Sequence, residues 1–467
     1  MAEHRWRRGS GRTVPRPRAI RLLAPLVAWM AASFAGCGPA ERADDRSNVL
    51  LISIDTLRAD HLSCYGYARP TTPAIDRLAA DGVLFEQVIA NSPWTLPSHG
   101  SMLTGLNPRN HGLKSHLTGL PNEIPTLATL LGDAGYATMG LVNSRNLSPR
   151  YGLHRGFAKY REYPTREDGK RVRSGAQQIT DAIAWLEEGS EGPFFMFIHN
   201  YDVHSHYDPA PEFLALFAAP YDGEIKGRTV DLKRVRRGEL ALSEADRGHV
   251  IDRYDGGIRQ LDADLGRLFE HLARTGLSET TIVIVTSDHG EEFLEHGGVL
   301  HGRTMYGEVL DVPLILRGPG LPAGVRVRGL VSLSDILPTL LGLVGVAAPE
   351  TDGMDLASTW EGGGAIPGDR PAFAEADHGN AKQDIKRMVR VGNAKLIYDR
   401  LARRQELYDL GRDPSEQRDI AAADPDTAQL LMRQLERYEA GDARDAIELP
   451  PLSQEEREHL RSLGYLQ

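Results

Sequence analysis

The chain has 467 residues, 41% of them hydrophobic and 25% charged, proportions that exclude a mostly disordered chain and a multi-span membrane protein. Its formal charge is −10, and the first 36 residues hold seven Arg and one Glu, so the body is more acidic still and no nucleic-acid partner is expected. Two cysteines, Cys37 and Cys64, provide neither a disulfide framework nor a thiolate zinc site.

Residues 1–21 are Arg-rich, residues 22–35 are uncharged, and the stretch ends in Phe34-Ala35-Gly36-Cys37. This pattern predicts a signal peptide over 1–36, its apolar part too short to span a bilayer comfortably. The ending Ala-Gly-Cys resembles the lipobox of bacterial lipoproteins, with Phe34 where Leu is usual. That resemblance implies a lipid on Cys37, contact with the membrane through it, and an exported body on the periplasmic face of the cell envelope. An uncleaved anchor and simple secretion are the alternatives. Residues 37–47 read as a tether.

Val49–Ile52 reads as a buried strand ending at Ser53-Ile54-Asp55-Thr56, and similar apolar runs recur at 137–142, 194–199, 281–286 and 312–316. Helical patterns lie between them, at 73–81, 124–134, 178–188 and 253–275. The alternation predicts an α/β fold with a mostly parallel central sheet flanked by helices, occupying residues 48–365. Residues 208–250 read as an irregular surface insertion or lid. Strand patterns at 386–398 and 405–410 and a helix at 427–440 predict a smaller C-terminal α+β subdomain over 366–467. Cys64 reads as a buried small hydrophobe.

Chemistry in such sheets gathers at the carboxyl ends of the strands, which directs attention to Asp55, His199 onward and Ser287-Asp288-His289. The loop Ser92-Pro93-Trp94-Thr95-Leu96-Pro97-Ser98-His99 runs into a predicted helix. Two carboxylates, an imidazole and a hydroxyl at one sheet edge make a candidate divalent-metal site, although each alone would read as a turn former or cap.

Together these segments resemble the sulfatase family of the alkaline phosphatase superfamily. Asn48–Tyr67 resembles the family's opening, and Thr95-Leu96-Pro97-Ser98-His99 with Leu103-Thr104-Gly105 resembles its Cys-x-Pro-Ser-Arg…Leu-Thr-Gly signature. Ser287-Asp288-His289-Gly290 resembles its second metal motif, and the run His301–Tyr306, Val312–Ile315 and the segment around 395–414 follow in the family's order. The resemblance implies an alkaline-phosphatase-like fold and an anionic phosphate or sulfate ester as substrate.

Sulfatases oxidise Cys or Ser to formylglycine; Thr95 carries a methyl branch and cannot become an aldehyde, so no formylglycine is expected. Thr is the nucleophile in related phosphoethanolamine and glycerophosphate transferases, whose metal set Asp55, Thr95, Asp288 and His289 resemble. The resemblance implies one divalent ion, with Zn or Mn favoured by the imidazole and Ca possible. Further candidates for charge stabilisation or acid catalysis are His99, where sulfatases carry Arg; His204, in an Asp-x-His segment beginning at Asp202; and His301 and Arg303, where they keep a Lys. Asn143 or Arg145 stands in place of a missing Gly-Lys-Trp-His motif, and Asp60 and His61 read as helix-capping residues. The leading expectation is a hydrolase or transferase cleaving a phosphate, or less favourably sulfate, ester through Thr95. Two alternatives stay open: a sulfuric ester hydrolase using metal-bound water, and a catalytically dead binder of sulfated or phosphorylated glycans.

Overall fold

The structure is a computed structural model that describes residues 46–167, 170–360, 366–376, 385–441 and 446–463. The signal-peptide reading and Cys37 lie outside the described residues. The central sheet has eight strands: β1 (Asn48–Ile54), β2 (Val83–Ile89), β3 (Ala137–Val142), β4 (Lys159–Glu162), β5 (Phe194–Asn200), β6 (Thr281–Thr286), β7 (Leu314–Arg317) and β8 (Val325–Ser332). Their spatial order is β8-β2-β7-β6-β1-β5-β3-β4. Only β7 runs against its neighbours β2 and β6; the other pairings are parallel, as the buried apolar runs predict.

Alternating side chains of the central strands feed two cores. Val49, Leu51, Phe195, Phe197, Ile282 and Ile284 face one layer, with α2 (Thr95–Thr104), α3 (Leu127–Asp133) and α7 (Ile336–Leu343). Leu50, Ile52, Met196, Ile198, Val283 and Val285 face the other, with α1 (Pro73–Ala80), α4 (Gly175–Glu188) and α6 (Glu244–Thr275). Residues 208–250 are more regular than expected. They contain α5 (Thr229–Arg236), and α6 begins at Glu244 because Ser243 and Asp246 form a reciprocal capping box that carries the helix into this charged stretch.

In register, Ser53 of β1 lies between His199 of β5 and Thr286 of β6. The carboxyl ends of the three innermost strands therefore deliver Asp55, His199 and Ser287-Asp288-His289 to one place.

The C-terminal subdomain is an antiparallel sheet of β9 (Pro371–Ala376), β10 (Lys386–Val391), β11 (Ala394–Asp399) and β12 (Arg404–Asp409), in that order. Val389, Leu396 and Leu407 of this sheet pack on Ala428, Leu431 and Leu435 of α8 (Pro425–Ala440). It is tied to the central domain by polar contacts. Glu416, held within the subdomain by Lys395 Nζ at 2.7 Å and almost wholly buried with it, accepts from the Gly307 N–H of the central domain. His296 lies 2.6 Å from Glu308 Oε1 through Nδ1 and 3.0 Å from the Glu416 carbonyl through Nε2, as an imidazolium with two acceptors would. Cys64 is half-buried, and burial together with Asp76 pushes its thiol up.

Burial pulls His296 down, but Glu308 and the Glu416 carbonyl outweigh it and push it up to about 9. A group raised above its ordinary value contributes stability that is full below about 6.5 and lost as pH rises through about 9. His296→Gln should therefore lower Tm at pH 6 and converge on the wild type by pH 10. Melting curves across that range check this; a gap that widens with pH would be the wrong sign.

Candidate active site

Thr95 is the first residue of α2, a helix buried along its whole length, and Trp94 is its N-cap. The helix N-terminus thus presents positive dipole beside Thr95. Ser98 Oγ donates to the Ser92 carbonyl (2.9 Å) and Ser92 Oγ to that of Glu375 (2.8 Å), which fixes the loop that leads in. Gly100 is required here: a Cβ would come within 2.6 Å of the His111 ring.

Thr95 Oγ1 lies 3.4 Å from both Asp55 Oδ2 and His289 Nε2. His289 Nε2 lies 3.4 Å from Asp288 Oδ2 and 3.9 Å from Asp55 Oδ1. All four side chains are fully buried. His289 Nδ1 donates to the Gly290 carbonyl (3.0 Å), which turns the lone pair of Nε2 toward the two carboxylates. Asp288 Oδ1 accepts from the N–H groups of Thr56 and His289, whereas Asp288 Oδ2, equally buried, accepts no hydrogen bond. Thr56 holds a left-handed backbone (φ 59°) that aims its N–H at Asp288.

Lone pairs facing lone pairs in a buried space require a proton or a cation between them. The electrostatics agree. Burial and then Asp55 push the Asp288 carboxyl up, while Asp288 and Asp55 overcome burial to push His289 up. Adjacent ligands of a four-coordinate ion with bonds of 2.0–2.1 Å are roughly 3.3 Å apart, the separation already present in this cluster. Oxygen, nitrogen and hydroxyl donors so placed form a divalent-metal site, Asp55, Asp288 and His289 being its charged and imidazole members.

The remaining expected residues are placed as follows. His99, one turn after Thr95, is fully buried, with Nδ1 2.8 Å from the Thr95 carbonyl and Nε2 2.9 Å from Ser53 Oγ. Burial holds it down to about 3 against the pull of Asp288, which favours the neutral ring. His204 is buried, stacked on Tyr201 (centroids 4.0 Å) and edge-on to His301 (4.9 Å). His301 lies with its ring centroid 4.4 Å from that of His289, and its Nδ1 donates to Glu291 Oε1 (2.8 Å). Arg303, two residues on, is half-buried. Asn143 is buried and donates to Ser174 Oγ (3.1 Å), whereas Arg145 is exposed and faces Glu455. Asp60 and His61 cap no helix: Asp60 pairs with Arg58 and His61 with Asp255, because Arg58 occupies the N-cap of that short turn.

Three participants carry no distinct sequence signal. His199, at the end of β5, places Nε2 3.2 Å from Asp55 Oδ2, and burial holds it down to about 4. Glu291 orients His301 and also accepts from the Tyr207 hydroxyl (2.7 Å). The strand-end rule reaches His199 by position alone; Glu291 and Tyr207 meet only through the fold.

The sulfatase family model matches residues 47–346. A delta 4,5-hexuronate-2-O-sulfatase of Bacteroides thetaiotaomicron is 26% identical over 435 residues, covering 85% of this chain and 88% of that protein. An N-acetylglucosamine-6-O-sulfatase of the same organism is 26% identical, covering 85% and 86%. Among solved structures, the phosphonate monoester hydrolase of Agrobacterium radiobacter superposes with a TM-score of 0.71 at 23% identity, covering 87% of this chain and 100% of that one. A protein solved with its substrate D-glucosamine-2-N,6-O-disulfate gives 0.70 at 24% identity, covering 85% and 99%. At these identities the structural matches establish the shared fold.

Asp288→Asn removes one of two facing buried carboxylates. In chelator-treated protein the variant should melt above the wild type. Addition of Zn²⁺ or Mn²⁺ at a hundredfold excess over Kd should then stabilise the wild type by about 2.7 kcal/mol and the variant far less. Equal stabilisation of both would remove Asp288 from the ligand set.

Proposed function

The chain belongs to the sulfatase family, and on that premise we propose that it is a metal-dependent ester hydrolase whose Thr95 attacks the phosphorus of a phosphate ester. The observation that carries this reading is the position of Thr95 Oγ1, 3.4 Å from a carboxylate and from an imidazole that both belong to the metal cluster. A divalent ion held by Asp55, Thr95, Asp288 and His289 would supply Lewis acidity, favouring the deprotonated Thr95 hydroxyl at neutral pH. Imidazole among the donors favours Zn or Mn over Ca.

Thr95 forms a bond to phosphorus as the ester P–O bond breaks, and the departing alcohol needs a proton. His301 is suited to give it from Nε2 as an imidazolium, the form favoured by the Glu291 carboxylate at Nδ1, with its ring centroid 4.4 Å from that of His289 and 4.9 Å from that of His204. The N-terminus of α2 stabilises the anionic group on Thr95. Water or an alcohol then attacks phosphorus and releases Thr95, so hydrolysis and transfer share every step but the last.

Sulfate is the second reading, favoured by relatives that are sugar sulfatases. It demands a different attack: Thr95 lacks the second hydroxyl with which a formylglycine hydrate expels sulfate, so water itself would be the nucleophile and Thr95 only a ligand. The seven arginines ahead of an uncharged stretch and Cys37 support an exported lipoprotein as the setting.

Thr95→Ala should lower turnover of an aryl phosphodiester by about a thousandfold or more, and Thr95→Ser should retain much of it. Full activity in Thr95→Ala, or faster turnover of an aryl sulfate than of the diester, would favour attack by water. His301→Gln should slow phenyl esters by about a hundredfold and nitrophenyl esters far less, because a good leaving group needs no proton.

A further inference from the structure

The residues that would meet an ester are closed off from solvent. Asp55, Thr95, His204 and His289 are fully buried, and His301 is nearly so. An ester cannot reach Thr95 Oγ1 through that surface, so part of it has to move before substrate enters.

The last helix, α9 (Gln454–Leu463), is held at this place by contacts that break easily. Glu455 Oε1 lies 3.5 Å from Arg145 Nη2, and Glu456 Oε1 lies 3.7 Å from Arg150 Nη1. Toward its other end, the Arg461 carbonyl accepts from Lys233 Nζ. Among the described side chains of α9, Glu456 is half-buried and the rest are exposed. Ion pairs that face solvent contribute little and are screened by salt.

The two ends of α9 stand on opposite sides of the Thr95 cluster. Arg145 follows β3, whose Val142 is in register with His199 of β5. Lys233 belongs to α5, and Arg236, one turn further along, donates to the carbonyls of Val299 and His301. Between these sides lie the ends of β5 and β1, which carry His199 and Asp55. Three strand spacings, from β3 to β6, measure about 14 Å. Ten helical residues span about 15 Å, enough to bridge that gap.

The segment ahead of the helix is firmly rooted. Ile447–Glu448 pairs antiparallel with Thr118–Gly119, the Leu449 N–H donates to the Leu117 carbonyl (2.8 Å), and Leu452 is buried. Ser453 and Glu456 form a reciprocal capping box, which keeps the helix intact when its side-chain contacts break.

We propose that α9 is a strap across the substrate entrance, hinged between Leu449 and Ser453, that swings off Arg145 and Arg150 to admit the ester. The proposal rests on reading the Thr95 cluster as the place where substrate reacts.

The test labels histidines with diethyl pyrocarbonate in the absence of substrate and follows each one by peptide mass spectrometry. A chain ending at Leu449 should label His204 and His301 about tenfold faster than the full chain, with half-buried His249 unchanged. Added salt should speed labelling of the full chain and leave the shortened one unaffected. Glu455→Lys with Glu456→Lys, which sets like charges against the two arginines, should label as the shortened chain does. Salt-independent labelling of the full chain overturns the strap, as do equal rates in the full chain and either variant. If circular dichroism shows that the shortened chain does not fold, the charge-reversed pair decides. Turnover of an aryl phosphodiester together with equal labelling rejects the strap and keeps the reading of Thr95. Faster labelling in variants that, like the full chain, turn over no ester keeps the strap and rejects that reading.

Discussion

Two fully buried carboxylates, Asp55 and Asp288, are held at one sheet edge with a histidine lone pair aimed between them. Bare, this arrangement is repulsive, and in a buried setting the repulsion is screened little. The fold imposes it nonetheless. Asp55 follows the central strand β1, Asp288 follows its neighbour β6, and a left-handed Thr56 completes the turn. Such a placement is stable only when something positive occupies the centre, so the scaffold is arranged around a cation.

The groups around that centre separate this chain from the pattern it otherwise resembles. Thr95 brings a hydroxyl that cannot be oxidised to an aldehyde, which removes the usual sulfatase route. His99 brings a neutral ring where a guanidinium would stand, with Ser53 and the Thr95 carbonyl as its partners. Glu291, Tyr207 and His301 form a separate polar group on the same rim, fixed by two short hydrogen bonds. Its His301 ring lies with its centroid 4.4 Å from that of His289.

Much of this was legible in the residues alone. Val49–Ile52, 137–142, 194–199 and 281–286 are continuous apolar runs because both faces of the strands are covered, and the rule that chemistry lies at their carboxyl ends leads to Asp55 and Asp288. Thr95 followed from its flanking motif. Other features depend on contacts between distant segments. His99 and His199 are 100 residues apart, and only the pairing of β1 with β5 under α2 brings them together. Glu291 reads as one acid in an acidic run until His301 is seen beside it. Asp60 and His61 misled because a short polar turn after a strand looks like a cap, whereas their partners Arg58 and Asp255 are chosen by burial and charge.

The central claim is that Thr95 becomes covalently attached to the group it attacks. The most direct measurement is mass spectrometry of acid-quenched protein after brief reaction with an excess of aryl phosphodiester. A phosphoryl adduct on the peptide containing Thr95, absent from Thr95→Ala, is the predicted result. Rapid turnover with that peptide unmodified at every quench time would contradict it.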